Sequence, residues 1–153
     1  MIHLASGIAI RDGALLLVAS RYPNQPRPLW NLPGGRQQRG ELLTDTVVRE
    51  FLEETSLRAR VVELAYVSES YDREKHFLNA TFVVEADGEP HLETEGEDHV
   101  VAVQWVPLAS VRERLEVAVV RDPLIAYLQG VLERRYAGYY SAGITIEWPD
   151  GSA

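Results

Sequence analysis

Apolar runs, some alternating and some continuous, divide the chain into short strands, two clear helices and the turns between them. Residues 4–10 and 15–19 flank Arg11-Asp12-Gly13-Ala14, and Asp-Gly between two such runs predicts a β-hairpin. Residues 22–28 carry three prolines and read as loop. Residues 30–32 are short and extended, and Pro33-Gly34-Gly35 then breaks the chain. Residues 60–67, 77–84 and 100–106 are rich in the β-branched and aromatic side chains that favour strands. Ala86-Asp87-Gly88-Glu89-Pro90 is a turn, and residues 91–98 form an acidic loop.

The helical period is clearest over residues 43–55. At about 100° per residue, Val47, Val48, Phe51, Leu52 and Thr55 share one broad face. Thr44 is the expected N-cap, and Asp45 puts a negative charge in the first turn. Residues 107–115 hold a short helix capped by Ser110. Asp122-Pro123 opens another helix as N-cap and first helical residue. Leu124, Ile125, Leu128, Val131 and Leu132 form its apolar stripe, and Gly138 stops it. Ile144, Ile146 and Trp148 alternate with Thr145 and Glu147, so the tail from about residue 139 to 153 is expected to add a strand, at an edge or in a dimer contact.

Strands and helices that do not strictly alternate predict an α+β fold, or an α/β/α sandwich around a mixed β-sheet. The 153 residues show no repeat and no dividing linker, so one domain spanning 1–153 is expected. No run is long and apolar enough to span a bilayer, and Met1-Ile2-His3-Leu4 does not open a secretory signal. With no cysteine there is no disulfide framework and no thiolate metal site, and the default location is cytoplasmic. The net charge of −8 disfavours a general nucleic-acid binder and suits a protein that holds cations.

Candidate chemistry concentrates in residues 35–57. Glu50, Glu53 and Glu54 lie opposite the apolar face, related by i, i+3 and i+4. Like charges so placed cost a few tenths of a kcal/mol per pair, roughly, unless a cation sits between them. Hard divalent ions want oxygen ligands, and Mg²⁺ keeps positions for water and substrate phosphate. Arg49 lies one turn before Glu53 and is placed to pair with it. Taken alone, three exposed glutamates on a helix are most often only a solvated face.

Their register changes that reading. Gly35 is followed after five residues by Glu41, and after seven more by Arg49-Glu50-Phe51-Leu52-Glu53-Glu54-Thr55-Ser56-Leu57. This resembles the box of the Nudix hydrolases, G-x5-E-x7-R-E-U-x-E-E-x-G-U with U bulky and apolar. The one departure is Ser56 in place of glycine. Six fixed polar or glycine positions match, which one start point does by chance about once in a million. Trp30-Asn31-Leu32-Pro33-Gly34 and Val103-Gln104-Trp105-Val106-Pro107-Leu108 also look familial.

The resemblance implies the Nudix α/β/α sandwich and Mg²⁺-dependent hydrolysis of a pyrophosphate bond, with Mn²⁺ an alternative ion. It implies Glu50, Glu53, Glu54 and the Gly35 carbonyl as metal ligands, Arg49 as the residue orienting the glutamates, and Glu41 as structural. It leaves Glu54 or Glu50 as general base. A further carboxylate is expected from the loop before Trp105, with Glu97 favoured over Glu93, Glu95 and Asp98. Arg36 and Arg39 are phosphate candidates. Tyr71 is a loose match to a substrate-binding tyrosine of some relatives. His3, His76, His91 and His99 show no zinc spacing and read as incidental, and Trp30 and Trp105 read as core. Where the family has glycine, Ser56 tolerates a left-handed helix exit less well, so the turn is expected to differ slightly.

The substrate is expected to be a small-molecule nucleotide: a nucleoside triphosphate, a dinucleotide polyphosphate or a nucleotide sugar. Neither the family's coenzyme A signature nor its ADP-ribose proline is seen. No nucleic-acid or membrane partner is expected, and relatives are frequently dimers. The main alternative is a non-catalytic Nudix module that binds a nucleotide and regulates. An interaction protein with an accidental box match is remote.

Overall fold

Residues 15–19 are apolar without alternation, and a strand of that kind has to be covered on both faces. The computed structural model, which describes residues 1–92 and 99–148, shows this coverage directly. Leu15, Leu16, Leu17, Val18 and Ala19 are all at most 3% exposed. Leu15 and Leu17 belong to a core that includes Val111, Leu115, Leu124 and Ile125. Leu16 points the other way, into a second core with Val47 and Phe51. The period-2 alternation of one strand thus joins two helical layers across the middle of the molecule.

The strands are β1 (Ile2–Ile8), β2 (Ile10–Arg11), β3 (Ala14–Ser20), β4 (Leu29–Asn31), β5 (Gly34–Arg36), β6 (Ala59–Asp72), β7 (Lys75–Ala86), β8 (Val100–Pro107) and β9 (Tyr136–Tyr139). The helices are α1 (Leu43–Thr55), α2 (Val111–Arg114) and α3 (Ala118–Leu128), with single 3-10 turns at Leu108–Ser110 and Glu133–Arg135. One sheet is mixed, in the order β5-β1-β7-β6-β9, with β1 parallel to β7 and β6 parallel to β9. In the other, β3 pairs antiparallel with β2, β4 and β8. This is the expected α+β sandwich. No helix among the described residues is long and apolar enough to cross a membrane.

The expected hairpin forms, but only over Ile10↔Leu15 and Arg11↔Ala14. Before it, β1 leaves for the mixed sheet, so the run 4–10 serves two sheets rather than one strand. Helix α1 has the predicted bounds. Its N-cap is Leu42, whose backbone N–H donates to Asp45 Oδ2 at 2.9 Å, while Thr44 sits in the first turn. Leu52, assigned to the apolar face, is 40% exposed, and Glu54 is buried in its stead.

Four expectations fail in the last third of the chain. Helix α3 begins at Ala118, so Pro123 lies inside it, and Asp122 pairs with Arg121 Nε at 2.9 Å rather than capping. Val131 and Leu132 lie beyond the helix, and Val131 is 64% exposed. Gly138 is part of strand β9, not a helix stop. Residues 144–148 form no strand. Their apolar side chains pack on their own chain, beside Tyr22, Leu29 and Val117.

Strand β1 sets the spacing that matters for the site. On one edge it pairs with β5, Ala5 opposite Gly35 and Ser6 opposite Gly34. Against its face lies α1, close enough that a Cβ on Gly7 would sit 2.6 Å from Phe51 Cε2 and 3.1 Å from Val47 Cγ2. Phe51 is fully buried and has nowhere to yield. Gly7→Ala is therefore expected to cost about 1–3 kcal/mol by overpacking. Urea unfolding would show this as a lower midpoint with an unchanged slope, and a loss under about 0.5 kcal/mol would contradict the close packing.

Candidate functional site

The glutamates are placed by the helical period and the nearness of β5. Glu50 and Glu54 flank the buried Val47–Phe51 stripe of α1 on the side that faces the Gly34–Gly35 backbone. A Cβ on Gly35 would lie 2.6 Å from both Cδ and Oε1 of Glu50, so that carboxylate rests directly on a backbone with no side chain. Glu54, 5% exposed, accepts the Gly34 N–H through Oε1 at 2.8 Å. The two-glycine segment read as a chain break is in fact an extended strand: the Gly34 N–H meets Glu54, and the missing Cβ of Gly35 leaves room for Glu50.

Arg49 gathers the remaining charge. Its Nε donates to Glu41 Oε2 at 2.6 Å and its Nη2 to Glu41 Oε1 at 3.1 Å, a two-pronged pairing. Its Nη1 reaches Glu50 Oε1 at 2.9 Å and Glu53 Oε2 at 3.1 Å, and Nη2 also donates to the Arg36 carbonyl at 3.0 Å. One guanidinium therefore holds three carboxylates and the end of β5. Glu41 accepts, in addition, the Gln38 N–H at 2.9 Å and the Thr46 hydroxyl at 3.1 Å. These contacts tie the turn ahead of α1 to the helix itself. Hydrogen bonding from Arg49 comes first among the causes that hold the Glu41 carboxyl down at about 2. The same pairing with Glu41, and then that with Glu50, pushes the Arg49 guanidinium up.

Beside these groups lies a cleft of about 380 Å³, lined by Gly34, Gly35, Arg36, Glu50, Glu54, His99 and Trp148 among others. Among the described residues no three His, Asp or Glu side chains close around one point. Glu53 is drawn to Arg49, while Glu50 and Glu54 face the cleft. The donor set there consists of hard oxygens: two carboxylates with the glycine backbone between them. That chemistry fits a divalent ion that keeps several positions for water and phosphate.

The other expected residues are scattered. Arg36 is exposed at the cleft wall, and Arg39 is exposed in the turn before Glu41. Tyr71 lies near the β6–β7 turn with its ring stacked on His76, centroids 4.2 Å apart, and lines neither this cleft nor an apolar pocket walled by Tyr22, Leu29, Val117 and Trp148 among others. Strand alternation is the reason: Ser68, Ser70 and Asp72 face that pocket, and Glu69 and Tyr71 face away. Glu97 lies outside the described residues. Ser56 adopts the left-handed conformation expected of glycine, with φ 65° and ψ 12°. Its hydroxyl donates to the His91 carbonyl at 2.9 Å, a local bond that glycine lacks.

Several lining residues carried no signal in the sequence. Tyr22, Asn31, Asn79, His99 and Trp148 line a small intermediate cavity of about 60 Å³ with Gly34, Gly35 and Glu54. They come from five separate places in the chain, and His99 read as incidental. Burial, and then the charge of Glu54, pushes the Tyr22 phenol up to about 12.

This fold has counterparts among known proteins. The NUDIX domain model matches residues 1–128. An ADP-ribose pyrophosphatase of Methanocaldococcus jannaschii is 36% identical over 84 residues, 54% of this chain and 49% of that protein. The protein called MutT4 of Mycobacterium tuberculosis is 32% identical over 130 residues, 78% of this chain and 51% of its own. The chain thus spans about half the length of these curated relatives. A NUDIX hydrolase structure from Nitrosomonas europaea superposes with a TM-score of 0.72 at 19% identity, covering 99% of both chains. The chain belongs to the Nudix family.

The Arg49–Glu41 pairing gives a signed pH dependence. A carboxyl held below its ordinary value of 4.5 adds stability that is present above that value and lost as pH falls toward about 2. Glu41→Gln removes this contribution. In urea unfolding across a descending pH series, the stability gap between wild type and Glu41→Gln should narrow between those two values. A gap that stays constant through that window would contradict the pairing.

Proposed function

We propose that this chain is a divalent-metal-dependent pyrophosphohydrolase acting on a small nucleoside-diphosphate-linked substrate. Nucleoside triphosphates, dinucleotide polyphosphates and nucleotide sugars are the classes it is expected to take. The observation that carries this reading is the pair Glu50 and Glu54, held against the Gly34–Gly35 backbone on the wall of an open cleft. A solvated acidic face would have no need of that contact. Family membership supports the same reading, as do the names of the relatives.

Glu50, Glu53, Glu54 and the Gly35 carbonyl are the groups to hold Mg²⁺, or Mn²⁺ in its place. When bound, the ion lowers the pKa of a water and offsets charge developing on the phosphate oxygens. The chain's own residues do the rest. Arg49 fixes where the carboxylates point, through bonds that a neutral substitute cannot make. Arg36, exposed at the cleft wall, offers a guanidinium to a phosphate. Glu54 or Glu50 takes the proton of the attacking water. Glu97 is the further carboxylate in this reading, and His99, two positions on in sequence, lines the cleft. Arg39 and Tyr71 are given no role.

A hydrolysis screen over the three substrate classes, with product analysis in Mg²⁺, tests the proposal. Wild type should cleave at least one class, lose the activity to a chelator and regain it on adding metal. Glu53→Gln should lower kcat by about a hundredfold or more. Equal inertness of wild type and variant would favour a non-catalytic nucleotide-binding module instead.

A further inference from the structure

Residues 142–148 form neither strand nor helix, yet their backbone is firmly tied. The Ala142 N–H donates to the Tyr71 carbonyl at 2.7 Å. Asp72 accepts the Thr145 hydroxyl at 2.9 Å and the Ile146 N–H at 3.4 Å. From the proline-rich loop, Asn24 Nδ2 and Gln25 Nε2 donate to the Thr145 carbonyl at 2.6 and 3.1 Å, and Asn24 Oδ1 accepts the Glu147 N–H at 2.9 Å. Side chains from two distant parts of the chain thus satisfy an irregular segment. Loops held this way are positioned rather than floppy.

The segment's apolar side chains all face inward. Ile144, Ile146 and Trp148 pack beside Tyr22, Leu29 and Val117, with Trp148 edge-on to Tyr22 at 5.9 Å and 82°. Together they wall a mostly apolar pocket of about 130 Å³. Pockets for drug-sized ligands start near roughly 300 Å³, so this one suits a single ring system. Its polar points include Asn31 and Asn79. Asn31 Oδ1 accepts the Leu32 N–H at 2.7 Å and Asn79 Oδ1 accepts the Ser6 hydroxyl at 3.2 Å. In each amide the oxygen is engaged by the protein, and the NH₂ group is the end that meets a ligand. Asn31, Asn79, Tyr22 and Trp148 also line the intermediate cavity, which reaches Gly35 and Glu54. Trp148 further lines the acidic cleft. Pocket, intermediate cavity and cleft therefore share walls in sequence, with Trp148 common to all three.

We infer that residues 142–148 are the specificity-determining wall of this site, closing a pocket that takes the substrate's heterocyclic base. This rests on the proposed function, because it places the base at one end of the row of cavities and the diphosphate at the other. Ile144, Ile146 and Trp148 supply apolar contact to the ring, and the amides of Asn31 and Asn79 donate to its acceptors. The wall lies outside the 1–128 stretch that matches the family domain, while Asn31 and Asn79 lie inside it, so base preference is set jointly by the domain's amides and by a segment that the family match does not cover.

Two variants and two readouts test the inference. Trp148→Ala is expected to raise KM for the preferred nucleotide about tenfold or more while kcat stays within about threefold, and to flatten the ranking among the four bases. Trp148→Phe should restore most of the loss. Thr145→Val, which removes only the hydroxyl bond to Asp72, should raise KM in the same direction, and it serves if Trp148→Ala does not fold. Unchanged KM and base ranking in a folded Trp148→Ala or Thr145→Val protein would overturn the inference. Calorimetric binding of nucleoside monophosphates in the absence of metal separates this from the catalytic reading. Wild type inert toward every diphosphate would sink the catalytic reading alone. The wall stands if wild type binds a monophosphate about tenfold more tightly than the variant, and falls if the two bind equally or not at all.

Discussion

A carboxylate on a helix repels its neighbours one turn away, and three of them stay together only if something positive or some fixed dipole answers each one. In this chain Arg49 answers Glu50 and Glu53, and the Gly34 N–H answers Glu54. The rest of the site follows from the distance between α1 and β5. That distance is set indirectly, because both elements are built on β1: β5 by strand pairing and α1 by face packing at Gly7. A side chain at Gly7 would push the helix away, and one at Gly35 would strike Glu50. Core packing and site chemistry are thus parts of one constraint.

The division of labour among the acids follows from where each falls around the helix. Glu54 and Glu50 lie beside the buried stripe and meet the cleft, while Glu53 is more exposed and meets Arg49. Glu41, outside the helix, takes both prongs of the same guanidinium. Glu41 does not line the cleft and meets it through Arg49 and the turn residues Gln37 and Gln38, which makes it a positioning group in the proposed site.

Much of this was legible in the chain itself. The bounds of α1 and the register of its box came directly from the 3.6-residue period and from fixed spacing, which are local properties. The Asp-Gly turn between two apolar runs marked the hairpin that joins β2 and β3. Local rules misled where tertiary pairing overrode them. Gly34-Gly35 reads as a break, yet strand β1 captures it as β5. Asp122-Pro123 reads as a helix start, yet α3 begins earlier and carries the proline inside. Gly138 reads as a stop, yet it pairs with Glu69 in β9. The pocket wall was illegible for a different reason. Tyr22, Asn31, Asn79 and Trp148 meet only after folding, and no spacing in the sequence links them.

In the proposed function, the bare backbone at Gly35, on which the Glu50 carboxylate rests directly, is what lets the acidic cluster hold a metal ion. The most direct measurement is a calorimetric titration of Mn²⁺ into wild type and into Gly35→Ala, with thermal unfolding of both as a control. Wild type should bind the ion, and Gly35→Ala should bind it at least about tenfold more weakly while melting as a folded protein. Equal affinity in the two proteins, or no binding by wild type, would contradict the account.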